Sequence, residues 1–388
     1  MGKGVAAAAI LVWCLACTGG PPASAPVAST APSSNVSFPA LAGAYRSESG
    51  ATYVLNGLGQ LVRLDDGWIR QLDPGAGPGH FTFGPAFMTQ GSPQGEVTVA
   101  GGALTIGSTA ARLQPVKRTD VRVASAGGVM LAGTITEPVT PGPHPGIVVV
   151  HGSEAGTRIL YGVWAGLYAA LGMAVLSYDK RGNGGSTGVY PGEVSTTASL
   201  NAFADDAAAC ARFLAAWPGV DPRRVGFHGG SQGGWTVPLA IQRFPAAAFA
   251  VLLSAPAVSV GQQTVWSLAS GDASFIPSES PEEIAARMRA ASSDGYQPRA
   301  ALLALRAPVL WLNGETDRHV PTAFNLSVLR SMHKSNFDLV VLPGVSHGLL
   351  ENASGLDRDD PKATRLAPDL FTRIAAWLVI HARAAGSI

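Results

Sequence analysis

Cysteine is almost missing from this chain. There are three in 388 residues, and two of them, Cys14 and Cys17, stand near the start. Cys210 is left alone in the remainder, so no internal disulfide is available and stability must come from a buried core. Cys210 lies in an alanine-rich helical pattern, where a small apolar filler is expected rather than a nucleophile. Charge is scarce too: 14% of residues are charged, the formal net charge is +1, and no basic run or basic–aromatic interleaving occurs. Nucleic acid and strongly acidic partners therefore have no electrostatic footing. No apolar run reaches the roughly 20 residues that span a bilayer. No metal-ligand cluster or phosphate loop is found. Gly182-Asn183-Gly184-Gly185 follows a strand pattern, but the helix and acid spacing of a nucleotide site are missing. No cofactor and no metal is implied.

What is present begins with Lys3 and an apolar run from Val5 to Leu15, the length of a signal-peptide core. It stops at Leu15-Ala16-Cys17-Thr18-Gly19-Gly20, which resembles a bacterial lipobox, although Cys14 and Leu15 depart from its usual residues. Residues 1–17 are read as the signal peptide, with Cys17 as the lipidation site. Export to the cell envelope as a membrane-anchored lipoprotein is the expectation. A soluble periplasmic or secreted product, cut near Ala23-Ser24-Ala25, is the alternative. Residues 18–37, rich in Gly, Pro, Ala, Ser and Thr, cannot bury enough surface to fold and read as a flexible linker.

From residue 38 to 116 the pattern is one of short strands broken by glycine, among them Thr52-Tyr53-Val54-Leu55, His80-Phe81-Thr82-Phe83 and Glu96-Val97-Thr98-Val99. A small antiparallel sandwich or barrel is expected, with a structural or substrate-gating role; carbohydrate or cell-wall binding is the lesser alternative. Residues 117–388 then alternate strand and helix. Val121–Val123 and Met130–Thr136 form an opening hairpin, and Ile147–Val150 is apolar at every position, as a central parallel strand covered on both faces would be. Helix over Leu160–Leu171, Leu200–Trp217, Thr322–Met332 and Leu366–Ala384, and strand over Met173–Tyr178, Phe249–Ser254, Val309–Leu312 and Asp338–Leu342, predict an α/β fold with a mainly parallel sheet. A break at about 257–306, with Trp266, Phe275 and a helical segment Glu282–Ala291, reads as a cap insertion.

The chemistry concentrates in Arg224 to Phe244. A strand enters Gly229-Gly230-Ser231-Gln232-Gly233 and a helical pattern leaves it: strand, G-x-S-x-G, helix. Gly229 and Gly233 are expected to permit close approach of strand and helix. An activated serine needs a histidine base and an acid to orient it, in the chain order Ser, Asp/Glu, His. Asp317, past the strand Val309–Leu312, is the expected acid, with Glu315 as the alternate; His347, in Ser346-His347-Gly348, is the expected base. Backbone N–H groups of Gln232 and Ser153 are the expected oxyanion donors. His319 is expected to point elsewhere, His228 to be a hydrogen-bonded core group, and His151 to brace the Ser153 loop.

On these motifs, with His151-Gly152-Ser153 and Tyr178-Asp179-Lys180-Arg181-Gly182, residues 119–384 resemble a bacterial α/β-hydrolase of the esterase and serine-aminopeptidase-like group. The resemblance implies the triad Ser231, Asp317 and His347, and a structural role for Asp179–Gly182 at the pocket rim. A serine hydrolase that cleaves small carboxylic esters through an acyl-enzyme is expected. A peptidase or thioesterase with the same triad, or a non-catalytic binding protein on this scaffold, is the alternative. An apolar cover of Trp235, Trp266 and Phe275 favours esters. Oligomeric state is left open.

Overall fold

A computed structural model of the chain describes residues 37–89, 91–192, 195–271 and 279–383. The segment with Cys17, the linker up to residue 36, and Phe275 lie outside the described residues.

After a short helix α1 (Phe38–Leu41), eight strands follow: β1 (Gly43–Ser47), β2 (Thr52–Leu55), β3 (Gln60–Arg63), β4 (Ile69–Pro74), β5 (His80–Phe83), β6 (Gly95–Ala100), β7 (Ala103–Ile106) and β8 (Thr109–Leu113). Each pairs antiparallel with the next, and β8 returns to β1, so the module is a closed eight-stranded barrel with no free sheet edge. Alternation along the strands gives two apolar sets. Tyr45, Tyr53, Leu61, Phe81, Val97 and Leu104 fill the interior. Ala44, Val54, Val62, Ile69 and Phe87 face outward into a second core. That is why every position of β2 is buried.

The second sheet contains β9 (Val116–Ala124), β10 (Met130–Pro138), β11 (His144–Val150), β12 (Ala174–Tyr178), β13 (Val220–Gly230), β14 (Ala250–Leu253), β15 (Val309–Gly314) and β16 (Phe337–Leu342). Its order is β16-β15-β14-β13-β11-β12-β10-β9. The pairs from β12 across to β16 are parallel, while β10 runs antiparallel to β12 and to β9. This is an α/β-hydrolase fold. Helices α3 (Thr197–Ala215) and α4 (Gly233–Arg243) cover one face. Helix α2 (Gly162–Ala170) packs on the other face and shares one continuous core with the outer wall of the barrel. Gly166 of α2 makes this contact possible, since a Cβ there would stand 2.5 Å from Val54 Cγ1 of β2. Helices α5 (Val260–Ser270), α6 (Pro281–Ala290) and α7 (Arg299–Ala304) lie between β14 and β15, and α8 (Thr322–Arg330) between β15 and β16. The first two carry capping boxes, Ser259 with Gln262 and Ser280 with Glu283.

The last helix, α9, spans Leu370–His381 and starts later than the periodicity from Leu366 suggests. The reason is tertiary. Residues 363–367 run extended between barrel and hydrolase. On one side Ile69, Phe87 and Met88 N–H groups donate to the Thr364, Ala363 and Pro361 carbonyls at 3.3, 2.7 and 2.9 Å, and Leu366 N–H donates to Gly67 O at 2.8 Å. On the other, Glu351 N–H reaches Arg365 O at 3.0 Å and Ala367 N–H reaches Leu349 O at 2.9 Å. A strap whose backbone is used on both sides cannot also be helix.

Candidate active site

β13 delivers Ser231 in a left-handed conformation, φ 44°. Such a residue costs of order 1–3 kcal/mol and persists only where its surroundings over-determine it. Here Ser231 N–H donates to Leu253 O at 3.0 Å, its carbonyl accepts from Gly234 N–H at 2.8 Å, and Gln232 caps α4 directly beyond. The hydroxyl thus stands at the positive end of that helix. Close approach falls on Gly229 and Gly234 rather than on Gly229 and Gly233. A Cβ at Gly229 would lie 2.6 Å from Val237 Cγ2 and one at Gly234 2.6 Å from Pro256 O, whereas one at Gly233 would meet only His151 O, at 3.9 Å.

The loops after β15 and β16 bring Asp317 and His347 together. His347 Nδ1–H donates to Asp317 Oδ2 at 2.7 Å, and both residues are buried. The other oxygen, Asp317 Oδ1, accepts from the backbone N–H groups of His319 (2.8 Å) and Val320 (2.7 Å). Ser254 Oγ donates to His347 O at 2.8 Å, so the histidine loop and Ser231 are fixed to adjacent residues at the end of β14. Glu315 is turned away and accepts from Gly344 N–H at 3.0 Å.

The loop carrying Ser153 is held by a buried polar network. His151 Nε2–H donates to Tyr178 O at 2.6 Å, and Gly152 N–H donates to Tyr161 Oη at 2.8 Å. Tyr161 in turn donates to Glu154, and Tyr190 to Ser153 O. Burial would raise the Glu154 carboxyl, but the His151 ring, with Nδ1 3.6 Å from Glu154 Oε1, and the charge of Lys180 hold it below the usual carboxylate range. Lys180 ties the two expected oxyanion segments to each other: its ammonium donates to Gly152 O (2.6 Å), Glu154 O (3.2 Å) and Gln232 Oε1 (3.3 Å). Its neighbours act locally, Asp179 on Arg158 and Gly185 N–H, and Arg181 on the buried Asp206.

Of the aromatic and histidine positions, Trp235 and His319 differ from expectation, while His228 is the hydrogen-bonded core group expected. Trp235 is core, buried with Nε1–H on Val258 O at 2.9 Å. Trp266 does reach the site, donating to Asp317 O at 3.3 Å. His228 shares a 2.8 Å hydrogen bond with Tyr168 and is pushed down to about 3 by burial, so it is a neutral core group. His319 does not point elsewhere. Its ring packs against that of His347 at 4.7 Å between centroids, and its Nε2 lies 3.0 and 3.1 Å from the two oxygens of Asp357. Asp357 and the buried Asp360 sit on a 3-10 segment, Asp357–Lys362, that leads directly into the strap. Burial pushes Asp360 up to about 6, against hydrogen bonds from Asn352 and Ser346. Neither acid carries a motif; the run Asp357-Arg358-Asp359-Asp360 downstream of His347 is the only sequence cue. A cavity of about 440 Å³ between α2, β10 and the barrel is lined by none of the triad candidates. Among the described residues, no cluster of three or more His, Cys, Asp or Glu side chains could hold a metal ion.

The prolyl oligopeptidase family matches residues 164–363, just over half of the chain. An uncharacterized protein of Mycobacterium tuberculosis is 29% identical over 229 residues, 59% of this chain and 72% of its own length. An α/β hydrolase from Penicillium sp. sh18 superposes with a TM-score of 0.49 at 19% identity, over 69% of this chain and 99% of that one. Dipeptidyl peptidase 4 of Porphyromonas gingivalis gives 0.48 at 15% identity, over 87% of this chain and 48% of its own.

Proposed function

The chain belongs to the prolyl oligopeptidase family and is a serine hydrolase; on that premise we propose that it cleaves carboxylic esters through an acyl-enzyme on Ser231. The observation that carries the assignment is the 2.7 Å contact from His347 Nδ1 to Asp317, on a histidine tethered next to the strained Ser231. Ser231 Oγ attacks the ester carbonyl while His347 Nε2 takes its proton, and Asp317 stabilises the imidazolium that forms. The tetrahedral oxyanion is received by the Gln232 and Ser153 N–H groups. Collapse expels the alcohol, which takes the proton from His347, and water repeats the sequence to release the acid.

Preference for an ester over a peptide substrate rests on the cap, residues 257–306. An aminopeptidase needs a carboxylate for the substrate ammonium. Of the acids near α6, Glu279 pairs with Arg287 and Glu283 closes the Ser280 capping box, while Glu282 lies in the same first helical turn, where the helix dipole favours it. Peptide cleavage is the second reading, favoured by the family itself. Export and anchoring through Cys17 are part of the proposal and rest on the lipobox-like sequence.

A fluorophosphonate probe should label Ser231, and Ser231→Ala should abolish labelling in a folded protein. kcat/KM for p-nitrophenyl butyrate should exceed that for every aminoacyl p-nitroanilide tried; an anilide turned over faster replaces the ester reading with the peptidase one.

A further inference from the structure

His347 is flanked by two carboxylate systems. One is Asp317. The other is reached through His319, whose ring packs on His347 at 4.7 Å between centroids and an interplanar angle of 41°. His319 is buried, and both Asp357 oxygens lie within 3.1 Å of its Nε2. Its backbone N–H donates to the same Asp317 carboxylate that accepts from His347. The charged and titratable groups around it can be named by element. The loop after β15 supplies Asp317, and Arg318, whose guanidinium turns away to the Ser354 and Ser270 carbonyls. Helix α5 supplies Gln263, which donates to His319 O at 2.9 Å, and no charged side chain. The 3-10 segment supplies Asp357, the exposed Arg358 and Asp360, with Asp359 paired to Lys362. The histidine loop supplies His347.

We propose that His319 and Asp357 form a second proton-holding pair that sets the basicity of His347, and that the barrel holds this pair in place. A carboxylate beside a buried imidazole favours its charged form, and a charged imidazole stacked on another disfavours a second proton there. His347 then stays neutral, and able to act as base, to lower pH than Asp317 alone would allow. The barrel enters because the strap that follows Asp357 is bonded to it at Ile69, Phe87 and Met88, with Arg70 Nη1 adding a bond to Thr364 O at 2.8 Å. His319 acts through His347 and is a positioning residue.

This inference rests on the reading of His347 as base, and the test separates the two. The measurement is the acid limb of kcat/KM for p-nitrophenyl butyrate in wild type, His319→Phe and Asp357→Asn. Phenylalanine keeps the ring packing but leaves Asp357 as a bare anion, so the limb should move to higher pH by about one unit. Asp357→Asn removes both charges, and the limb should move in the same direction by less. A limb that stays put in both variants, or that moves to lower pH in Asp357→Asn, overturns the pair, as does a fall in plateau rate with no shift of the limb. A wild type lacking any acid limb would instead overturn the reading of His347 itself. Should His319→Phe fail to fold, 15N-histidine NMR of wild type and Asp357→Asn decides: an imidazolium persisting at pH 8 in wild type and lost in the variant supports the pair, and its absence from wild type overturns it.

Discussion

Replacing Asp317 with asparagine should reduce kcat/KM for p-nitrophenyl butyrate by about 10⁴-fold while the protein stays folded. The structure fixes which way the new amide would face. Asp317 Oδ1 accepts two backbone N–H groups, from His319 and Val320, and Oδ2 accepts one proton, from His347 Nδ1. With its carbonyl toward the two backbone donors, the amide keeps both bonds and presents NH₂ to His347. Turned the other way, it would set two donors against NH₂ to rescue a single contact. The first orientation wins, and it forces His347 into the tautomer with its proton on Nε2, where it cannot accept from Ser231. An acid-to-amide change that traps the wrong tautomer costs about 10⁴ in rate in serine hydrolases, about 5.4 kcal/mol of transition-state stabilisation. The assay is kcat/KM together with the rate of fluorophosphonate labelling, with circular dichroism and thermal unfolding as controls. A folded variant less than about 30-fold impaired would refute Asp317 as the orienting acid.

Two further predictions concern the groups around the triad. Asp360 is pushed up to about 6 from an ordinary 3.8, so the folded chain holds a proton that the unfolded chain has already released between those values. Stability from this group is present below about pH 4 and is lost as pH rises through 6, roughly 3 kcal/mol in all. Asp360→Asn can accept the same bonds from Ser346 and Asn352 without a charge, so urea unfolding from pH 4 to 8 should show the variant gaining that much relative to wild type; a pH-independent difference would contradict this. Lys180→Met should reduce kcat/KM about 100-fold and lower Tm by several degrees, because Gly152 O and Glu154 O lose a shared donor and Glu154 loses its neighbouring cation. Lys180→Arg should not restore activity, since the acceptors converge on one compact ammonium; full rescue by arginine would show that charge alone matters.

How much of this was legible follows from the range of each interaction. The elbow and the loops ending in Asp317 and His347 could be read because each follows a largely apolar strand, a local pattern with a local cue. The barrel could be read as a barrel or sandwich from turn spacing, but its docking could not. Its outward residues Val54, Val62 and Ile69 follow the same alternation as its inward ones, and no residue type says that both faces are covered. The place of Trp235 is hidden for a similar reason: on a helix buried against Val258, an indole looks the same in sequence as one lining a pocket. The place of His319 is not legible because its partner, Asp357, belongs to no motif and meets it only through the fold.

The strap is the clearest case of structure that side-chain identity does not encode, and it makes sense of the barrel. Apart from Arg70 and Thr89, its ties to the barrel join backbone N–H to backbone carbonyl across about 273 to 299 residues of sequence. Apart from Gly67, where a Cβ would stand 2.5 Å from Leu366 O, they place little demand on side chains and so leave little trace in composition, yet each would strand a polar group if broken. On its far side the same strap is bonded to residues 349 and 351, just past His347, and the 3-10 segment directly before it carries Asp357 and Asp360. The barrel therefore meets the hydrolase along the segment that fixes the histidine loop and its acids. If His319 and Asp357 act as proposed, that placement gives the barrel a mechanical part in the site, carried through the continuous core it shares with the hydrolase.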